Sequence, residues 1–182
     1  MTRTAAVAPL AALLLAPCLA LAVVHVDLGD PAANSWVVQY TFADGRDGSA
    51  SMEVLPYDFD IEILKAEPEK GGSPLKYEEI NENREGAPKF KVEYPEPVKT
   101  GSRYRFRVEA RMTDANSYFE DTAKLTFLYQ TAHEVYVSLP EGYFPIFTDE
   151  PMEIKQDKRR VVLSSEGGRR RPVVIFAVKC GE

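Results

Sequence analysis

The sequence predicts an all-β protein, and three observations lead to this fold class. Apolar and charged residues alternate with a period of two along most of the chain, most strictly in "SRYRFRVEARM" at 102–112. Thirteen prolines and eleven glycines lie mostly between the apolar runs, where they favour turns. No segment keeps a helical period over three turns. We therefore expect one immunoglobulin-like antiparallel β-sandwich of about ten short strands with little or no helix.

The strands follow from the apolar positions in chain order. They are predicted at 36–42, 49–55, 58–63, 89–94, 102–112, 124–130, 133–139, 152–156, 159–165 and 172–178, with 24–28 as an additional first strand. The segment 74–85 could be a short helix or a loop. Gly167-Gly168 predicts a hairpin between the last two strands, with Ser164 opposite Arg171. The final strand, "PVVIFAV", is apolar on both faces, so we expect it to be central or covered.

The N-terminal segment has the features of a cleaved signal peptide. Arg3 precedes an apolar run from Ala5 onward, and Ala20-Leu21-Ala22 supplies small residues at the two positions that the peptidase requires. Cleavage after Ala22 would divide the chain into a signal peptide at 1–22 and a single β-sandwich domain at 23–182. We therefore expect an exported protein, periplasmic or extracellular, with no transmembrane helix after cleavage.

Two other interpretations of this segment are weaker. A lipoprotein needs a small residue directly before the modified cysteine, but Pro17 precedes Cys18. An N-terminal membrane anchor could use the run 5–24, which is just long enough to cross a bilayer but is rich in alanine and interrupted by proline. Cleavage would leave Cys180 alone, either as a small apolar residue that ends the last strand or as a partner for another chain.

Charged side chains offer two candidate anion contacts. Arg103, Arg105 and Arg107 share one strand face, but the acidic residues of 58–62 have the same spacing, and opposite charges on neighbouring strands would satisfy each other. Arg169, Arg170 and Arg171 could meet an acidic partner or a lipid headgroup. The formal net charge of −6 argues against nucleic-acid binding.

The sequence contains no recognisable catalytic constellation. His25 and His133 are the only histidines, and no zinc-peptidase, serine-hydrolase or thiol-redox motif is present. The aspartates in "ADGRDGS" at 43–49 lack the spacing of a calcium loop and are typical of turns. We therefore expect no enzyme activity, no metal site and no cofactor.

The best candidate for binding is the segment "LPEGYFPIFTDEP" at 139–151. Three prolines stiffen a stretch that carries Tyr143, Phe144 and Phe147, so these aromatics could be presented to a partner or ligand at low entropic cost. Alternatively, the same side chains cap one end of the sandwich core. Trp36 alternates with core residues, so we expect it to be buried.

The C-terminal half resembles a known group of domains. The motifs "VSLPEGYFPI", "EPMEIKQDKRRVVLS" and "PVVIFAV" are similar to extracytoplasmic immunoglobulin-like domains of uncharacterised bacterial and archaeal exported proteins, over about residues 88–178. The resemblance implies a β-sandwich and supplies no functional residues.

These observations predict an exported, non-catalytic β-sandwich that acts as a protein-interaction or accessory module of the cell envelope. The partner would be an unidentified envelope protein or a glycan. The alternative is a module that binds carbohydrate or a small ligand through the aromatic loop at 139–151.

Overall fold

The computed structural model describes residues 23–54, 60–80, 89–167 and 171–179. These residues contain fourteen strands and a single 3₁₀ turn, Pro31–Ala33. The strands are β1 (Val23–Leu28), β2 (Ser35–Asp44), β3 (Ser51–Val54), β4 (Asp60–Pro68), β5 (Tyr77–Ile80), β6 (Lys89–Glu93), β7 (Tyr104–Thr113), β8 (Tyr118–Asp121), β9 (Lys124–Thr131), β10 (Glu134–Ser138), β11 (Tyr143–Thr148), β12 (Glu153–Asp157), β13 (Arg160–Ser165) and β14 (Arg171–Lys179).

The all-β sandwich predicted from the sequence is confirmed, with more strands than the period of two revealed. The pattern missed β5, β8 and β11, of which β5 and β8 have only four residues each. β5 lies inside the segment for which the sequence left helix or loop open, and residues 81–85 of that segment lie outside the described part. Among the described residues, no helix is long and apolar enough to span a bilayer.

The strands form three sheets. The largest has seven strands in the order β12-β13-β10-β1-β2-β7-β4, the second has the order β11-β14-β9-β8, and the third has the order β3-β6-β5. Neighbouring strands are antiparallel except β1 and β10, which run parallel with Val23 opposite Glu134. The expectation of a wholly antiparallel sandwich is therefore wrong at this one pair.

The hairpin predicted at Gly167-Gly168 does not form. β13 pairs with β10 and β12, whereas β14 pairs with β9 and β11, so the chain crosses here from the seven-stranded to the four-stranded sheet. Ser164 lies opposite Tyr136, and Arg171 lies opposite Thr131. Gly167 serves a different purpose, because a Cβ atom on it would lie 2.7 Å from the backbone nitrogen of Glu134. Gly168 lies outside the described residues.

The core lies between one face of the seven-stranded sheet and the two smaller sheets. Trp36 of β2 is buried, as its position in the alternating pattern predicts, and meets Phe127 of β9 edge-on at 5.6 Å between ring centroids. The hydroxyls of Tyr40 and Tyr129 join the same two sheets at 2.7 Å. The three-stranded sheet contributes buried Met52, Val54, Phe90 and Val92. Full burial of each large apolar side chain contributes about 1.5–3 kcal/mol to the free energy of unfolding.

The outer face of the seven-stranded sheet carries cross-strand pairs of opposite charge, because β4 and β7 are neighbours. Arg111 donates to Glu62 at 2.6 Å, and Arg105 lies 3.6 Å from Glu69. In the ladder, Arg107 lies opposite Glu67. These pairs are solvent-exposed and worth a few tenths of a kcal/mol each. Arg105 and Arg111 of this strand face therefore have acidic partners, although the register differs from simple pairing with residues 58–62.

Candidate docking surface

The outer face of the four-stranded sheet is apolar along β11 and β14. On β14, Val173, Ile175 and Ala177 are buried in the core. Successive side chains of a strand point to opposite faces, so the residues between them point outward. The outward set is Val174, Phe176 and Val178, all half-buried.

The strand β11 contributes two of the three aromatics predicted from the loop 139–151. Phe144 lies opposite Val178, and Phe147 lies opposite Phe176, so both share the outward face of β14. The ring of Phe147 stacks on that of Phe176, with 5.4 Å between centroids. Both phenylalanines of β11 are exposed.

Tyr143, the third predicted aromatic, points the other way. Its side chain is buried, and its hydroxyl donates to Oε1 of Glu120 at 2.9 Å. Burial, followed by this hydrogen bond, raises the pKa of Tyr143 to about 12. Tyr143 therefore caps the core, whereas Phe144 and Phe147 face outward, and their presentation to a partner or ligand stays a prediction.

A bulge enlarges the exposed part of β11. The register shifts between Pro145 and Phe147, which leaves Ile146 as the extra residue of the strand. Pro145 has no backbone N–H, and β11 is the edge of its sheet. A bulge and a proline at an edge both oppose the addition of another strand. A partner would therefore meet the side chains of this sheet rather than its backbone.

One further exposed side chain extends the surface, because Leu128 of β9 lies opposite Val174. We call this surface the apolar face. Its members are Leu128, Phe144, Ile146, Phe147, Val174, Phe176 and Val178.

The apolar face has the size of a protein interface core. Its four most exposed members are 37% to 58% exposed. With about 200 Å² for a whole large side chain, they leave roughly 400 Å² of apolar surface in water. That is within the range of the largest patch on an ordinary monomer, about 300–600 Å², which is often functional. Burial would yield about 10 kcal/mol before the cost of association, which is of similar size. Additional contacts around the patch are therefore needed to set the affinity.

A cation lies at the rim of this surface. Nζ of Lys124 sits 4.9 Å from the centroid of the Phe176 ring, as in a cation–π contact. An apolar centre with charged neighbours is the usual organisation of a protein–protein interface.

The three arginines predicted as anion contacts have no described side chain at the apolar face. Arg169 and Arg170 lie outside the described residues, and only the backbone of Arg171 is described, at the start of β14. Another arginine, Arg160 at the start of β13, joins neighbouring segments of the seven-stranded sheet. Its guanidinium donates to the backbone oxygens of Leu28, Leu139 and Ser138 and to Asp27.

One of the two histidines, His25, lies on β1 inside the seven-stranded sheet. His25 stacks on Tyr136 at 4.9 Å, and Tyr136 donates to Glu134 at 2.6 Å. Burial lowers the pKa of His25, and the nearby Glu134 opposes this effect. Within 23–54, 60–80, 89–167 and 171–179, no group of three or more His, Cys, Asp or Glu residues could hold a metal ion.

The sequence interpretation missed most of the apolar face. It treated residues 139–151 as an isolated loop and did not connect them to Leu128 or Phe176. The signal that could have found the surface was the apolar character of both faces of the last strand, since only one of these faces can meet the core.

Comparison with known proteins gives a likeness of fold. No family model matches the chain, and no curated protein matches it. The crystal structure of an M1 zinc metallopeptidase from Deinococcus radiodurans is similar over 87% of this chain, at 12% identity and a TM-score of 0.56. A mutant of that peptidase bound to a Tyr-Ser-Ala substrate is similar over the same share, at 13% identity and a TM-score of 0.56. A two-domain M1 zinc metallopeptidase mutant bound to L-tryptophan has a TM-score of 0.57 at 12% identity, again over 87% of this chain.

The matching region is less than half of each peptidase. This chain spans 42% of the length of those peptidase chains. At such low identity the likeness shows a shared β-fold and carries no residue roles.

Proposed function

We propose that this protein is an exported, non-catalytic β-sandwich module that docks onto a second folded domain or protein through the apolar face. The observation that carries the proposal is the concentration of exposed large apolar side chains on the outer side of β11, β14 and β9. Removing this surface from water is the largest favourable term that the described surface offers to a partner.

The chemistry of the apolar face favours a protein over a glycan. Sugar hydroxyls need hydrogen-bonding groups beside the aromatic ring, and phenylalanine supplies none. The aromatic residue of this segment that has a hydroxyl, Tyr143, points inward to Glu120. Phe147 already has one ring face on Phe176. The carbohydrate alternative therefore lacks the polar groups that would orient a sugar, whereas an apolar protein surface needs none.

The comparisons support a folded partner domain. The similar part of the peptidase makes up less than half of a chain that is described as having two domains. A fold of this kind therefore occurs beside another domain in that enzyme. By analogy, the occupant of the apolar face would be a second domain with its own activity, which this module would position or stabilise.

The proposed export rests on residues 1–22. Their basic start, apolar run and small residues at 20 and 22 support passage through a membrane before folding. The envelope is then the compartment in which a partner is to be sought.

Site-specific cross-linking tests the docking proposal. The photoreactive residue p-benzoylphenylalanine is placed at position 147 in the full chain, and in a control at position 77. Tyr77 is also an exposed aromatic, but it lies on β5 of the three-stranded sheet. In the native envelope fraction, position 147 should yield a discrete adduct with a folded protein and position 77 should not.

Substitutions on the apolar face test whether the cross-linked partner binds there. Phe147→Asp and Phe144→Asp should each weaken capture of the cross-linked partner at least tenfold, while Tyr77→Asp leaves it unchanged. Circular dichroism confirms that the variants are folded. Adducts composed of two copies of this chain, glycan-array binding that the Phe147→Asp variant loses, or equal adducts from both positions would each overturn the proposal.

A further inference from the structure

A pocket of about 280 Å³ lies at the segment that joins β6 to β7. Its lining combines apolar groups, among them Pro95, Pro97 and Tyr104, with three charged residues, Glu96, Lys99 and Arg103. It belongs to a different sheet junction from the apolar face, because it adjoins the ends of β6 and β7 rather than β11 and β14.

Backbone hydrogen bonds hold the walls of this pocket in place. Val98 donates to the oxygen of Ser49, and Gly48 donates to the oxygen of Val98, both at 2.8 Å. Ser102 closes the turn by donating its backbone N–H to the oxygen of Lys99 at 2.9 Å. The segment is thus tied to the β2–β3 connection, and a ligand would meet a preformed site at low ordering cost.

A buried network fixes the aromatic wall. The ring of Tyr104 lies 4.4 Å from that of Tyr94, centroid to centroid, and the hydroxyl of Tyr94 donates to Oδ2 of Asp44 at 2.9 Å. The hydroxyl of Tyr104 is itself buried and has no hydrogen-bond partner among the described residues. Because this hydroxyl has almost no accessible surface, the ring of Tyr104 rather than its hydroxyl forms this wall of the pocket.

Arg103 leaves positive charge at the pocket. Arg105 and Arg111 of the following strand have acidic partners, but Arg103 makes no ion pair with any residue that the structure describes. Lys99 has only a weak contact with Glu96, at 4.0 Å between exposed groups. A planar guanidinium without a partner matches a carboxylate, which it can bind through two parallel hydrogen bonds.

We infer that this pocket binds a small carboxylate with an apolar body. The carboxylate would pair with Arg103, and the apolar part would lie against Pro95, Pro97 and the ring of Tyr104. Two sources share this chemistry, a free aromatic acid and the C-terminus of a peptide that ends in an apolar residue. The inference is independent of the docking proposal, because it uses none of the residues of the apolar face.

Titration by NMR on the full chain tests the pocket. The probes are phenylacetate, the peptide N-acetyl-Ala-Phe with a free carboxylate, and the neutral analogue phenylacetamide. Phenylacetate or the peptide should shift the backbone amides of 96, 98–99 and 101–104 in a saturable manner. Phenylacetamide should bind at least tenfold more weakly, because it has no charge for the guanidinium.

Matched variants assign the binding to named groups. Arg103→Gln should weaken carboxylate binding at least tenfold, whereas Arg105→Gln, two residues along and paired with Glu69, should change it less than twofold. Tyr104→Phe removes the buried hydroxyl but keeps the ring at the pocket wall, so it should change carboxylate binding less than twofold.

The outcomes distinguish the two sources of the ligand and test whether the ligand is a carboxylate. Binding of phenylacetate alone identifies a free acid, binding of the peptide alone identifies a chain terminus, and either supports the carboxylate class. No saturable shift at residues 96–104 with either acid, equal binding of phenylacetamide, or unchanged affinity in folded Arg103→Gln would overturn the inference.

Discussion

Replacing Asp44 with asparagine should make the stability of the protein less sensitive to acid. The Asp44 side chain is only 2% exposed, and it accepts two hydrogen bonds from the guanidinium of Arg46 at 2.9 and 2.7 Å. Tyr94 donates a further one at 2.9 Å. Burial alone would raise the pKa of Asp44, but the bonds from Arg46 and Tyr94 outweigh it and lower the pKa from 3.8 to about 2.

The size of the effect follows from this shift. One pKa unit corresponds to about 1.4 kcal/mol, so the ionised carboxylate contributes roughly 2 kcal/mol to the free energy of unfolding at neutral pH. Because the folded-state pKa is lower than the unfolded-state value, this contribution is fully present well above pH 3.8. It is lost as the pH falls through the folded-state pKa near 2. Asparagine cannot ionise, so the variant should lack this contribution at every pH.

Urea unfolding followed by tryptophan fluorescence at pH 7, 4, 3 and 2 measures the difference. The gap in free energy between the original chain and Asp44→Asn should be roughly 2 kcal/mol at pH 7 and should narrow between pH 4 and pH 2. The control Asp60→Asn, on the exposed edge strand β4, should change stability at pH 7 by less than about 0.5 kcal/mol. A gap for Asp44→Asn that is the same at pH 7 and pH 2 would refute the reasoning.

Three further substitutions or measurements test other parts of the structure. In thermal melts, Gly167→Ala should destabilise the fold by about 1–3 kcal/mol, because its Cβ would meet a backbone nitrogen of β10 at 2.7 Å. The control Gly29→Ala should be tolerated, because no atom lies within 4 Å of the new Cβ. Phe127→Ala should cost about 3–5 kcal/mol in urea unfolding and Phe147→Ala less than 1, since the first side chain is buried and the second exposed on the same sheet. Intact mass spectrometry of the exported protein should give a chain that begins at Val23, and a mass that retains residues 1–22 would contradict the signal-peptide interpretation.

The sequence could predict the strands and their faces, but not the partners of the strands. A period of two depends only on neighbours along the chain, so the inward and outward sets of β2 and β7 are readable from the residues. Pairing joins distant segments, as in the parallel contact of β1 with β10. Apolar runs on both sides of Gly167 predict a hairpin, because a turn signal in a sequence involves only neighbouring residues. The close approach of that glycine to β10 depends on the sheet order, which no local pattern contains.

The segment of β11 shows why part of the candidate surface was hidden in the sequence. Pro145 and the bulge at Ile146 interrupt the alternation, so "YFPIFT" lacks the period of two that marks an ordinary strand. The sequence therefore predicts a loop at these aromatics, where the structure has a strand. Their division into inward Tyr143 and outward Phe144 follows from the pairing with β14, which is a tertiary fact.

The last strand connects the sequence to the proposed function most directly. A strand that is apolar on both faces is normally covered on both, and β14 is indeed central in its sheet. Its inner residues Val173, Ile175 and Ala177 meet the core, while Phe176 and Val178 face outward, and Phe147 and Lys124 lie against the ring of Phe176. Solubility alone would favour polar residues at those outward positions, as the outer faces of β4 and β7 have. The proposed docking surface would account for the outward apolar set of β14, and loss of partner capture by folded Phe147→Asp is the measurement that separates it from an incidental patch.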